Sequence, residues 1–335
     1  LVFASDFYKR VMLYYSAALL IGFLVLFKSA DQFVIGSVAT AKNLSISPMT
    51  IGLTIVALGT SAPEIFVSAI SSLRGEPSIA VGNAIGSNIA NVGMVLGFTA
   101  MLVPLQFRVD ILRNDLPILI FVTLCAGAAL IDYKLGLMDG LLLLSGLGIF
   151  LFRLAIEHRK SSGMELAAEI AELDEIPEMP ISRAAVTLLI SLVFLLISSE
   201  ILVWAVIKIA QGMGASELVI GLTVIAVGTS IPELVVSVTS ALKGQTDLAI
   251  GNIIGSNIFN ILAVLSIPAI FAPTELVPQT LWRDYALMLG MTLILVIFAY
   301  GIRGDAAISR FKGSLLFALW LGYIIYLYRT ALVVS

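Results

Sequence analysis

The chain is poor in the residues that build most enzyme and metal sites. Its 335 residues include one cysteine and one histidine, and only 12% are Asp, Glu, Lys or Arg. Cys125 has no second cysteine to pair with, so neither an internal disulfide nor a thiolate metal site can form. Set in an apolar run, it reads as a small buried hydrophobe. With no Cys or His clusters, zinc and copper are disfavoured as ligands of this chain. His158 falls in a polar connector and reads as solvated. No EF-hand loop pattern occurs. No basic patch accompanies the net charge of −3, which argues against nucleic acid as a partner. Strand-like alternation is missing as well, which argues against an outer-membrane barrel.

What is abundant is apolar sequence, 59% of the chain. Long apolar runs recur from end to end, each near the ~20 residues that a helix needs to cross a bilayer. Lipid offers no partner to an unpaired backbone group, so the spans must be helices. We expect an all-α membrane protein with ten spans, at roughly 11–41, 48–73, 78–105, 115–132, 136–156, 183–213, 217–242, 247–273, 283–302 and 308–330. The first run reads as a span rather than a cleaved leader. Residues 157–182 form an acidic connector in which Leu166, Ile170 and Leu173 recur at helical spacing, predicting a short amphipathic helix. The connector separates a first five-helix unit, 1–156, from a second, 183–335.

The two units are copies. Gly52–Gly97 aligns without gaps on Gly221–Ser266, at a constant offset of 169, with 25 identities in 46 positions. Chance similarity between apolar helices would match Leu, Ile and Val. Here many of the matches are Gly, Thr, Ser, Pro, Glu and Asn. Five spans is an odd number, so the second copy enters the membrane from the opposite face, and the halves are predicted to be inverted repeats. Lys and Arg favour a cytoplasmic connector, with both termini on the other side.

Each copy carries Gly-Thr-Ser-x-Pro-Glu, ending at Glu64 and Glu233. An ionisable group inside a span is costly and marks a site by default. Proline removes a backbone donor, so the spans are expected to break near Thr60 and Thr229, freeing carbonyls there and at Ala57 and Ala226. Carboxylate, carbonyl and hydroxyl oxygens suit hard cations such as Ca²⁺ and Na⁺. Two ionised glutamates carry −2, which one Ca²⁺ balances. Further on, Ser87 and Asn91 share a helical face, as do Ser256 and Asn260, and can complete an oxygen cage. Gly82, Gly86, Gly251 and Gly255 are expected to permit close helix packing. Asn83, Asn88, Asn252 and Asn257 are expected to orient the broken helices. Asp31 and Glu200 form a second acidic pair, with Lys28 one turn from Asp31 and able to pair with it.

On these residues the chain resembles the cation/calcium exchanger superfamily, and looks most like a prokaryotic sodium/calcium exchanger. The resemblance implies that Glu64 and Glu233 hold calcium, with Thr60 and Thr229 contributing oxygens. It implies that Ala57, Ser61, Ser87, Ala226, Ser230 and Ser256 occupy sodium-coordinating positions, and Asn91 a central one. Asn260 departs from the pattern, because many members carry an acid there; this makes potassium coupling less expected. The resemblance also implies a multi-pass protein of a prokaryotic inner membrane that exchanges Ca²⁺ for Na⁺, with no resident cofactor and no obligatory protein partner. Exchange against H⁺ on the same glutamates is the nearest rival reading. A cation channel and an intramembrane enzyme are remoter.

Overall fold

A computed structural model describes residues 2–160, 179–212, 226–301 and 306–334. The expected amphipathic helix around Leu166, Ile170 and Leu173 and the start of the seventh span, 217–225, lie outside them. In the first half, the helices are α1 (Val2–Leu44), α2 (Pro48–Thr60), α3 (Ala62–Leu73), α4 (Pro77–Leu102), α5 (Ile111–Leu130) and α6 (Leu137–Lys160). In the second they are α7 (Ile181–Gly212), α8 (Ala226–Gly228), α9 (Ile231–Leu242), α10 (Thr246–Phe271), α11 (Thr280–Tyr300) and α12 (Arg310–Val334). Eight helices are long and apolar enough to span a membrane, or nine when α2 and α3 count as one span bent by 43°. These are the spans among the described residues.

The elements recur at the same offset as the sequence. π-helical turns at Asn91–Leu96 and Ile111–Asp115 have counterparts at Asn260–Val264 and Thr280–Tyr285. Four two-residue strands join the halves: β1 (Leu105–Gln106), β2 (Lys134–Leu135), β3 (Thr274–Glu275) and β4 (Ala307–Ile308). β1 pairs with β4 and β2 with β3, both antiparallel, so each pair ties one half to the other.

α4 and α10 are the most deeply buried of the long helices, and α3 and α9 pack against both. The outer helices α6 and α12 turn large apolar side chains outward, among them Leu142, Ile149 and Phe311. That surface suits a hydrocarbon environment and would be a liability in water. α1 and α7 pack on each other and centre a second apolar cluster, to which Ile51 and Val56 of α2 and Val235 and Val236 of α9 also belong.

Close packing at the centre depends on glycine. A Cβ on Gly251 would sit 2.7 Å from the Met49 carbonyl oxygen, and one on Gly255 2.8 Å from that of Leu53. α10 therefore lies directly against the backbone of α2, as expected for small residues in membrane helices. Gly82 and Gly86 meet nothing within 4 Å among the described residues, so their packing role is not seen there. The stretch equivalent to Met49–Ala57 is 218–226, outside those residues except for Ala226. Gly251→Val is expected to lower stability by about 1–3 kcal/mol, because backbone on both sides must move. The unfolding midpoint in detergent, compared with that of Gly82→Ala, measures this.

Candidate functional site

The site begins where α2 gives way to α3. Ser61 adopts φ −81°, ψ 8° and precedes a helix with Pro63 in its first turn. Ser230 repeats this at φ −90°, ψ 8°, ahead of Pro232. A proline in a first helical turn costs little, because the N–H it lacks would have no intrahelical partner there. Glu64 and Glu233 fall in the first turns of α3 and α9. There the positive end of the helix dipole favours a carboxylate.

The break frees fewer carbonyls than the sequence suggested. The Ala57 carbonyl accepts the Ser61 backbone N–H at 3.0 Å and the Thr60 hydroxyl at 3.4 Å. The helical turn continues through Ser61, and the donor lost to Pro63 is the one that would have met Gly59. Ala57 is fully buried. Ala226 opens α8, and its side chain lies outside the described residues.

Glu64 and Glu233 are both fully buried and close enough to interact electrostatically. They are served from both halves. Ser61 donates to Glu233 Oε1 at 3.1 Å, across 172 residues. Ser87 donates to Glu64 Oε1 at 3.4 Å, and Thr229, half-buried, approaches the same carboxylate. Thr60 is fully buried and donates to Asn252 Oδ1 at 3.0 Å. Asn83 and Asn252 do orient the broken helices: their amides donate to the backbone carbonyls of Glu64, at 3.2 Å, and Glu233, at 3.3 Å. Asn252 also donates to Ser237 Oγ at 2.9 Å.

The polar atoms left over are informative. A buried polar group without a partner costs roughly 1–3 kcal/mol, more when charged. Among the described residues, Glu64 Oε2, Glu233 Oε2, Ser230 Oγ, Ser256 Oγ and both amide atoms of Asn91 and Asn260 are buried and without a hydrogen-bond partner. Asn91 and Asn260 are the first residues of equivalent π-helical turns, a feature frequent at functional sites. Asn257, read above as orienting, instead has both amide atoms unpartnered and joins this set. Among the described residues, Asn88 donates within its own helix, to Ala84 O at 2.8 Å. Oxygen is the common donor, Cys and His are lacking, and the carboxylates supply negative charge. That set suits hard cations and not soft ones.

The second acidic pair behaves differently from expectation. Asp31 does not pair with Lys28 but with Lys243, Nζ to Oδ1 at 2.7 Å. The cation comes from the end of α9, a neighbouring helix, rather than from the residue one turn away. Gln32 adds a contact to Asp31 at 3.2 Å.

Known proteins similar to this chain cover nearly all of its length. The sodium/calcium exchanger protein family matches residues 14–155 and 183–329, one segment in each half. The chain is 44% identical to the putative antiporter CaxA of Alkalimonas amylolytica, over 93% of this chain and 98% of that protein. It is 31% identical to the sodium/calcium exchanger MaX1 of Methanosarcina acetivorans, over 92% and 97%. The fold matches solved structures of the sodium-calcium exchanger NCX_Mj with a TM-score of 0.79 at 32% identity, covering 94% of this chain and 99% of that one. The chain is therefore a multi-pass membrane protein that belongs to the sodium/calcium exchanger protein family.

Proposed function

We propose that this protein exchanges Ca²⁺ for Na⁺ by alternating access, across a prokaryotic plasma membrane. One observation carries the reading. Two fully buried carboxylates, one from each copy of a duplicated motif, sit together, and among the described residues each keeps one oxygen free of hydrogen bonds. Their combined charge of −2 is balanced by one Ca²⁺, and monovalent cations compete for the same oxygens. Glu64 and Glu233 hold the calcium. Thr60, Thr229, Ser61, Ser230, Ser87 and Ser256 supply oxygens to the cations, together with backbone at Ala226 and, once the long 3.4 Å bond from the Thr60 hydroxyl is given up, at Ala57. Asn91 and Asn260 close the cage at its centre with neutral amides.

The architecture we infer is ten spans in two inverted five-helix repeats, with the connector cytoplasmic and both termini outside. The strand pairs support the inversion. β1 and β2 stand at opposite ends of α5, hence at opposite faces of the membrane. β3 is the counterpart of β1 at the offset of 169, yet it pairs with β2. The second copy of the strand thus belongs to the face opposite the first. Inversion of this kind leaves one shared site near the midplane, where discontinuous helices meet.

Calcium uptake into inside-out vesicles tests the counter-ion. With sodium inside and none outside, uptake is expected, and a pH gradient without sodium is expected to drive none. Uptake on the pH gradient alone would replace sodium with protons as the coupling ion. A flux that neither saturates nor needs a counter-ion would replace exchange with channel conduction.

A further inference from the structure

The two copies match residue for residue, yet the structure uses them unequally. α1 lies along α9, whereas the equivalent neighbours, α7 and α3, make no comparable contact among the described residues. α1 and α7 make their most extensive contacts with each other, and the apolar cluster centred on them, shared at its edge by Ile51 and Val56 of α2, Val235 and Val236 of α9 and Leu248 of α10, is distinct from the larger cluster of the other helices. A helix pair packed on itself, and docked along α9 but not along its twin α3, has a second docking available by symmetry.

The charges follow the same asymmetry. Asp31, on α1, pairs with Lys243, the C-terminal cap of α9, and both side chains are about one-third exposed. At the offset of 169, Asp31 corresponds to Glu200 on α7, and Lys243 to Arg74, the C-terminal cap of α3. Acid matches acid and base matches base. Glu200 and Arg74 are nevertheless exposed, and among the described residues neither has an ion pair. One copy of the contact is closed and the other is open. The location is equally regular. Each base caps the short helix whose first turn holds a site glutamate. Ten residues separate Glu233 from Lys243, or Glu64 from Arg74. At ~1.5 Å per residue that is ~15 Å, half the thickness of a hydrocarbon core. A site at the midplane therefore puts each base at a membrane face.

We propose that Asp31–Lys243 and Glu200–Arg74 are alternate latches, one at each mouth of the site, of which only one is closed at a time. Each fastens the α1–α7 pair to the end of a glutamate-bearing helix of the opposite repeat. An exposed ion pair contributes little by itself. That suits a latch, which must bias two states without trapping either. The inference rests on the alternating-access reading above and assigns that cycle its gating residues.

The experiment uses a Cys125→Ser background, which has no other thiol. Asp31→Cys with Lys243→Cys, and separately Glu200→Cys with Arg74→Cys, are treated with a short bifunctional methanethiosulfonate. Both pairs are expected to cross-link, and each link to stop calcium exchange until it is reduced. In the second pair, adding Lys243→Ala is expected to raise the cross-linking rate several-fold, because opening one latch favours closing the other. The charge exchange Asp31→Lys with Lys243→Asp is expected to return that rate to its original value. The proposal is overturned if Glu200→Cys with Arg74→Cys fails to link in any mixture of sodium and calcium. It is also overturned if Lys243→Ala leaves the linking rate unchanged. If the latches behave as stated while the background protein moves no calcium, the gating stands and the cargo assignment fails.

Discussion

Glu64→Ala and Glu233→Ala are each expected to abolish calcium uptake. Either change leaves a single buried carboxylate to face a divalent ion, where the site otherwise offers two. Removing one partner from a buried charged set costs about 3–5 kcal/mol. At about 1.4 kcal/mol per decade, this amounts to two to four decades in calcium affinity. A second readout separates a damaged site from a damaged fold. Calcium raises the unfolding temperature of a protein that binds it only when folded. Both variants are expected to remain folded without calcium, since one of two neighbouring like charges has been removed, and to lose the calcium-dependent rise. Normal uptake by either variant would sink the assignment of these two residues.

Asn252→Ala is expected to be the most damaging change at a residue that we do not assign to the ions. Its side chain donates to the Glu233 carbonyl and to Ser237, and accepts from Thr60. It thus fixes the start of α9 and, through Thr60, the break in the other half. Loss of such a support around a metal ligand typically lowers affinity by about 10–100-fold. Among the described residues the equivalent Asn83 makes one hydrogen bond, to the Glu64 carbonyl at 3.2 Å, and is less buried. Asn83→Ala is therefore expected to cost several-fold less. Calcium titrations of the two variants, followed by flux or by thermal shift, give the ratio. Equal losses would mean that the extra bonds of Asn252 do not bear on the ions.

Much of the fold and site is legible in the sequence, for identifiable reasons. Apolar runs separated by polar turns give the spans, because lipid enforces both the length and the helical form. The offset of 169 finds the site, since a recurring Pro-Glu pair inside apolar sequence has few uses apart from function. The two glutamates, Ser61 and Ser87 do come together. What escapes is set by geometry between elements. Lys243 is distant in sequence from Asp31, so a nearby residue, Lys28, looked the better partner. The π-helical turns leave no compositional mark, although they begin on Asn91 and Asn260 and set where those amides lie. The carbonyl of Ala57 looked free because the proline lies close, yet the turn closes on it before the proline acts. Ser237 and Asn257 carried a usable signal: Ser68 and Asn88 stand 169 positions before them.

The hydrogen bonds that cross between the halves bear on how the chain can change over generations. Ser61 serves the carboxylate of the other copy, and Thr60 its supporting amide. A substitution in one copy is therefore judged by its effect on a neighbour encoded far downstream. Under such mutual dependence, neither copy is free to diverge at these positions alone, which accounts for Gly-Thr-Ser-x-Pro-Glu surviving twice while the apolar letters around it wander.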